Sequence, residues 1–256
     1  MEDGPPLEVV RALERDMRHI REPQLRIPRL RRYLGEGPEG TARLEQLLLA
    51  TLLGLTPESW HVVARSRWTE PWWDEAFHSN LYEHSSQYEA LRLILFAPES
   101  AYRVADGAEF SRDEELERTP LGRRKSWACQ MDVDMLPRLC LDSDASVIEI
   151  LLGNPRMTEA WVVRMASRRP NRVPVLRTIA MKEKWLARRK VKQALVLNPY
   201  APASVAMWLA PLMDGPVLME ASEMNTLHPG LRLLARTLLE IRADHGLDVQ
   251  FESFES

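Results

Sequence analysis

The stretch TPESWHVVA at residues 56–64 recurs as APESAYRVA at residues 97–105, 41 residues later and identical at five of nine positions. Two weaker echoes, each preceded by an Asn-Pro pair, lie at residues 158–166 and 202–210. Spacings of 41, 61 and 44 residues fall in the range of helical solenoid repeats, with the middle interval enlarged by an insertion. The sequence therefore predicts an all-α fold built from a repeated pair of helices.

Each predicted repeat has an apolar helix, a short break and a second helix that ends at an alanine. Thr56 and Thr158 are placed to cap their second helices, because a threonine hydroxyl accepts backbone N–H bonds of the first helical turn. Such a pair buries its apolar stripe only against the next pair, so we expect a right-handed or curved α-solenoid of about four helical pairs. The first helices of the pairs are predicted at residues 41–53, 86–96, 146–152 and 185–197.

The remaining segments frame the repeat domain. An apolar stripe at helical spacing predicts a helix over residues 7–21, which Pro23 and Pro28 are expected to interrupt. The run GEGPEG at residues 35–40 is typical of a linker. These signals predict a helical N-terminal arm with its linker (1–40), a repeat domain (41–245) with an insertion at about residues 106–140, and a C-terminal tail (246–256).

The composition is that of an ordinary soluble protein, with 45% hydrophobic and 28% charged residues in a chain of 256. The net charge of -3 provides no overall attraction to nucleic acid or to a membrane surface. The first residues lack the pattern of a signal peptide, and no apolar run is long enough to cross a bilayer, so we expect a cytoplasmic protein without membrane insertion. Cys129 and Cys140 fit neither a disulfide framework nor a zinc ligand set and are predicted to be buried free thiols.

The sequence LDSDASVIEILLGNP at residues 141–155, continued by Met-Thr at 157–158 and Met-Ala at 165–166, resembles the leucine-rich repeat variant family and its HEAT-like relatives. Residues 195–199 repeat the element of leucines followed by Asn-Pro. The resemblance implies short paired helices that stack into a solenoid and hold another macromolecule. Some members of the family also carry a cysteine cluster for an iron-sulfur centre. Two cysteines cannot supply the four ligands of such a centre, so no cofactor is predicted.

Positive charge is concentrated between Trp161 and Lys192, where eleven basic residues face one acid, Glu183. On one face of successive repeats these side chains would attract phosphates or an acidic protein, and Trp161 and Trp185 would stack or form cation-π pairs beside them. The alternative is a solvated helical surface with both tryptophans in the core. The arginines of the predicted binding surface are Arg164, Arg168, Arg169, Arg172, Arg188 and Arg189.

A second candidate surface is aromatic, because residues 68–84 hold three of the eight tryptophans. Trp72 and Trp73 are its central members and would form a protein-binding hot spot, with plain packing between repeats as the alternative. Asp74 and His78 share a helix face at i and i+4, but a metal site needs a second pair of ligands, and none is present in the segment. We therefore predict no metal site.

The sequence contains none of the motifs that mark a nucleophilic serine, a phosphate-binding Gly-Lys-Ser/Thr loop or a zinc protease. We therefore expect a non-enzymatic adaptor or scaffold whose partner is a protein, in particular an acidic one. The alternative is a nucleic-acid-binding HEAT-like protein, including a DNA glycosylase-like enzyme. Alkylpurine DNA glycosylases are built from HEAT-like repeats, with tryptophans and a carboxylate facing a cationic groove.

Overall fold

A computed structural model describes residues 7–35, 37–69, 79, 81–85, 88–104, 113–130 and 135–244. Over these residues the protein is all-helical, with sixteen α-helices, one short 3-10 helix and no strand, which confirms the predicted all-α class. The chain divides into two compact units. Unit 1 comprises Met1–Ala97, Met207–Met224 and Pro229–Ser256, and unit 2 comprises Pro98–Ala206 and Asn225–His228.

The helices that the structure describes are numbered along the chain. In chain order they are α1 (Leu7–His19), α2 (Pro23–Leu34), α3 (Gly37–Leu52), α4 (Pro57–Thr69), α5 (Glu89–Leu95), α6 (Glu114–Arg118), α7 (Leu121–Cys129), α8 (Leu136–Leu139), α9 (Ala145–Gly153), α10 (Glu159–Ser167), α11 (Val173–Met181), α12 (Glu183–Leu186), α13 (Arg189–Val196), α14 (Ala203–Leu209), the 3-10 helix (Ala210–Leu212), α15 (Gly215–Glu223) and α16 (Pro229–Asp244). Within the described part of the chain, no helix is both long and apolar enough to span a membrane.

The N-terminal helix of unit 1 forms as predicted. Val10, Leu13 and Met17 of α1 are fully buried and share one face, which packs against α2, α3 and α4. Of the two prolines expected to interrupt the helical chain, only Pro23 lies at a break, since α1 ends at His19 and α2 begins at Pro23. Pro23 lies in the first turn of α2, where an N–H is not needed, and Pro28 lies on the exposed side within α2.

The cost of Pro28 in a helix interior is offset by burial on the opposite side of α2. Ile27, Leu30 and Leu34 are buried there, so the helix is held by tertiary contacts. The predicted linker is also shorter than expected, because α3 already begins at Gly37. Gly35 ends α2 with a φ of 64°, a backbone conformation that favours glycine, and its N–H donates to the carbonyl of Arg31 at 3.0 Å.

The start of α4 is capped by another helix and not by the predicted threonine. The Glu14 carboxylate of α1 accepts the backbone N–H groups of Glu58 and Ser59 at 3.2 and 2.8 Å and the Ser59 hydroxyl at 2.7 Å. The Thr56 hydroxyl is used instead within the bend between α3 and α4, where it lies 3.0 Å from the hydroxyl of Thr51. Thr158 likewise makes no side-chain cap at α10, so both predicted threonine caps are wrong.

A carboxyl group is buried on α3. Glu45 is 8% exposed, and burial raises its pKa to about 7. The leucines expected on one face of the same helix, Leu44, Leu47, Leu48 and Leu52, are all buried. Desolvation disfavours the charged carboxylate, so below about pH 7 the Glu45 side chain is mainly the neutral acid in the folded protein.

Two tryptophans fix the centre of unit 1. The rings of Trp60 and Trp208 stack with centroids 5.8 Å apart, and the Trp60 indole N–H donates to the carbonyl of Trp208 at 2.9 Å. Both are fully buried, so the indole N–H is satisfied without water. At the other side of the 3-10 helix, buried Arg242 of α16 donates to the carbonyl of Met213 at 2.7 Å.

The near copy at residues 97–105 does not form the predicted second helix. Its described residues are not helical and pair with residues 199–204. The N–H of Arg103 donates to the carbonyl of Pro199, and the N–H of Ala203 to that of Ser100, both at 3.1 Å. The first copy places Trp60 in the core, whereas the second has Ala101 in its place, followed by exposed residues. Without an apolar face to bury, so short a helix gains too little to form.

Unit 2 contains the same hydrogen-bond arrangement twice. The amide of Asn154, after α9, donates to the carbonyls of Ala128 and Gln130 at the end of α7, at 2.9 and 2.8 Å. The amide of Asn198, after α13, donates in the same way to Ala166 and Arg168 at the end of α10, at 2.6 and 3.0 Å. Each asparagine oxygen also accepts the N–H two residues further on. The two Asn-Pro pairs are therefore structurally equivalent.

The segment predicted as an insertion contributes α6, α7 and α8 to unit 2. Arg124 of α7 donates at 2.5 Å to Asp142, whose side chain is fully buried. The two cysteines are free, but only Cys140 is buried, where burial raises the pKa of its thiol to about 12. Cys129 lies exposed at the end of α7, so the prediction of two buried thiols is wrong for this residue.

Candidate binding surface

Seven basic side chains of unit 2 between residues 156 and 190 are exposed. They are termed the basic surface: Arg156, Arg164, Arg169, Lys184, Arg188, Arg189 and Lys190. Half-buried basic residues flank them, and only three acids occur in residues 145–206, which carry twelve basic residues. A surface of this composition carries a strong local positive charge in a chain whose net charge is -3.

The helices α10 and α13 carry much of the basic surface. They pack against each other, and the bonds of Asn198 bring their C-terminal ends together. Arg164 lies in the last turn of α10, whereas Arg188 and Lys190 lie at the start of α13. Positive charge is therefore present at both ends of this helix pair.

Two tryptophans form cation-π contacts with basic side chains, but they differ in burial. The guanidinium of Arg164 lies 5.5 Å from the ring centre of half-buried Trp161. Trp185 is buried, donates its indole N–H to the carbonyl of Leu152 at 2.7 Å and has the Lys184 ammonium 4.4 Å from its ring centre. Trp161 is thus accessible to a ligand, whereas Trp185 belongs to the core of unit 2.

Two of the predicted surface arginines also hold the fold. Arg168 is half-buried and donates to the carbonyl of Leu141 at 3.2 Å. Burial, together with the neighbouring charge of Arg172, lowers the pKa of Arg168. Arg169 donates to the carbonyl of Leu197 at the end of α13. These contacts mean that Arg168 and Arg169 are poor places to remove charge without disturbing structure.

Other members of the basic run form ion pairs within unit 2. Arg177 lies 2.8 Å from Glu99, and Lys182 lies 2.9 Å from Glu149. Arg188, Lys190 and Arg164 form no ion pair with any acid among the described residues. These three side chains are the clearest candidates for contact with a partner.

The predicted aromatic surface lies outside the described residues, since Trp72 and Trp73 fall in the segment 70–78. Asp74 and His78 lie in the same segment. Over the residues that the structure describes, no group of three histidine, cysteine or carboxylate side chains is placed to hold a metal ion.

A second set of arginines was not predicted from the sequence. Arg11, Arg15 and Arg18 follow helical spacing on α1, away from the buried stripe of Val10, Leu13 and Met17. That spacing was visible in the sequence, but the intervening acids make the local charge inconspicuous. The contact of Arg123 with Trp127, 5.1 Å from guanidinium to ring centre, was also missed although the residues are four apart in α7.

Comparison with protein-family models, with curated proteins and with solved structures gives no match to this chain. The resemblance to the leucine-rich repeat variant family, carried by residues 141–155 and 195–199, therefore stays a prediction.

Proposed function

We propose that this chain is a non-enzymatic adaptor, built on helical repeats, that holds an acidic protein partner on the basic surface of unit 2. The observation that carries the proposal is the imbalance in residues 145–206, twelve basic residues against three acids, with seven of the cations exposed. Exposed charges contribute little to folding, so a concentration of one sign is better explained by recognition than by stability.

The equivalent Asn-Pro pairs support the repeat part of the proposal. They lie 44 residues apart, and both join the end of one helix to the end of the next helix packed against it. A second helix follows each pair, α10 after Asn154 and α14 after Asn198. A surface made from equivalent helices presents equivalent side chains at regular intervals, which suits an extended partner.

A protein partner is favoured over nucleic acid by the rest of the chain. The protein carries a net charge of -3 even though residues 145–206 are strongly basic, so the remaining residues are predominantly acidic. A long polyanion such as duplex DNA would meet repulsion beyond the basic surface, whereas a short acidic segment of a protein would not.

The proposal is tested with a triple charge reversal, Arg164→Glu, Arg188→Glu and Lys190→Glu. Arg188→Glu and Lys190→Glu place acids at the start of α13, where they are favourable to the helix dipole. Arg164→Glu places an acid in the last turn of α10, where an exposed charge costs about 1 kcal/mol or less, so the variant should stay folded, which circular dichroism checks. Wild-type protein used as bait in its native cell extract should retain an acidic protein that salt elutes, and the variant should lose it. A matched control reverses three exposed arginines of unit 1, Arg21, Arg31 and Arg32.

Equal retention of the partner by wild type and the triple variant would place the interface elsewhere. The purified protein should also be titrated with duplex DNA at several salt concentrations. Tight binding to DNA, with a logarithmic affinity that falls linearly with the logarithm of salt and disappears in the triple variant, would replace the adaptor by the nucleic-acid alternative.

A further inference from the structure

A cavity of about 500 Å³ opens beside α1 in unit 1. Five charged residues line it, namely Glu8, Arg11, Glu14, Arg15 and Arg18. Leu55 forms its one apolar wall. The volume lies within the range of small-molecule sites, roughly 300 to 1,000 Å³. Arginines outnumber carboxylates in the lining, so the cavity favours an anionic ligand.

One of the carboxylates is already committed to the fold. Both oxygens of Glu14 are occupied, one by Arg18 at 3.0 Å and by the N–H of Glu58, the other by Ser59. Glu14 therefore neutralises Arg18 and fills the N-terminus of α4. It does not take up the charge of the other two arginines.

Arg11 and Arg15 are the cations that remain in the cavity. Both are exposed, and neither forms an ion pair with an acid among the described residues. They lie one helical turn apart on α1, which puts their Cβ atoms about 5 to 6 Å from each other. Two guanidinium groups at that spacing can contact the same anion from two sides.

We propose that this cavity binds the phosphate group of a small phosphate monoester through Arg11 and Arg15, with Leu55 against the ester group. Two arginine forks offer more N–H donors than the two oxygens of a carboxylate can accept, whereas a phosphate has three free oxygens and two negative charges. The cavity is much larger than a phosphate ion, and its apolar wall gives the esterified part a place to lie. The inference concerns unit 1 and is independent of the proposed adaptor function.

The test titrates the full chain with phenyl phosphate by isothermal titration calorimetry. Phenyl phosphate has both the phosphate and an apolar group. In the double variant Arg11→Gln and Arg15→Gln, affinity should fall at least about tenfold, because charge-assisted hydrogen bonds are lost while a polar, uncharged side chain remains at each position. The matched control, Arg31→Gln and Arg32→Gln, removes two exposed arginines of the neighbouring helix α2 and should bind as the wild type does.

Inorganic phosphate is the second probe. It shows whether the cavity prefers a phosphate monoester or free phosphate. Weaker binding of inorganic phosphate than of phenyl phosphate supports a monoester, and equal binding shows a site for free phosphate. The inference is overturned if wild-type protein binds neither probe, or if the double variant, folded by circular dichroism, binds phenyl phosphate as tightly as the wild type.

Discussion

At the scale of single residues, buried asparagines hold the helix ends of unit 2. Asn198 is 2% exposed, and its amide serves two carbonyls while its oxygen serves the N–H of Tyr200. Each of these backbone groups would otherwise be left without a partner at a helix end, where intrahelical bonds are missing. One side chain therefore replaces three contacts with water.

Asn198→Ala should lower the free energy of unfolding by about 2 to 3 kcal/mol, because it leaves buried polar groups without partners. Urea denaturation at neutral pH measures the change. Asn198→Asp should be at least as destabilising, since a carboxylate would face the carbonyls of Ala166 and Arg168. Asn225→Ala, at an exposed site, is the matched control and should change little. Similar losses at residues 198 and 225 would contradict the role given to Asn198.

At the scale of elements, similar sequences fold differently when their surroundings differ. The two near copies share Pro-Glu-Ser, yet only the copy with Trp60 is a helix, because the indole gives it a core to join. The all-α class, the helix at the N-terminus and the burial of Leu44, Leu47 and Leu48 could be predicted from periodicity alone. The outcome at residues 97–105 could not, since it depends on pairing with residues 199–204, almost a hundred positions away.

A substitution at Ala166 tests the packing of α10 against α13. It is fully buried, and its carbonyl accepts the amide of Asn198. Ala166→Leu should overpack this contact and destabilise by about 1 to 3 kcal/mol, measured as a shift of the thermal midpoint. Ala160→Leu makes the same change at an exposed position of the same helix and should be nearly neutral. Equal shifts for the two variants would show that α10 does not pack through Ala166.

At the scale of the whole molecule, Glu45 gives stability a pH dependence. Its pKa is raised from 4.5 to about 7, so between these values the folded state keeps a proton that the unfolded state has released. Stability should therefore fall as pH rises through this window, by about 3 kcal/mol in all if burial alone sets the shift. Glu45→Gln should remove this loss and be more stable than wild type at about pH 8, with the advantage shrinking toward pH 5.

Urea denaturation at several pH values measures this difference. Glu39→Gln, on the exposed side of the same helix, is the control and should leave the pH profile unchanged. A Glu45→Gln profile parallel to that of the wild type would show that the carboxyl group titrates normally in the folded protein.

The candidate binding surface was only partly accessible to sequence reasoning. The basic run between Trp161 and Lys192 could be located from the sequence, because the net charge of a segment follows from its residue types alone. The sequence could not separate Arg164 and Arg188 from Arg168 and Arg169, which are tied to backbone carbonyls of distant segments. Hydrogen bonds across 27 and 28 positions leave no local pattern in the sequence.

The two Asn-Pro pairs also determine where this chain tolerates changes of length. Asn154 lies 26 positions after its first acceptor and Asn198 lies 32 after its own, yet both make the same bonds. The connection from α7 to α9 and the connection from α10 to α13 differ in length and account for the difference between 26 and 32 positions. Insertions and deletions in related genes should therefore accumulate in those connections. The short segments that join the ends of α9 and α13 to their Asn-Pro pairs should keep their length. An alignment anchored on the asparagines would detect relatives that an alignment anchored on overall identity overlooks.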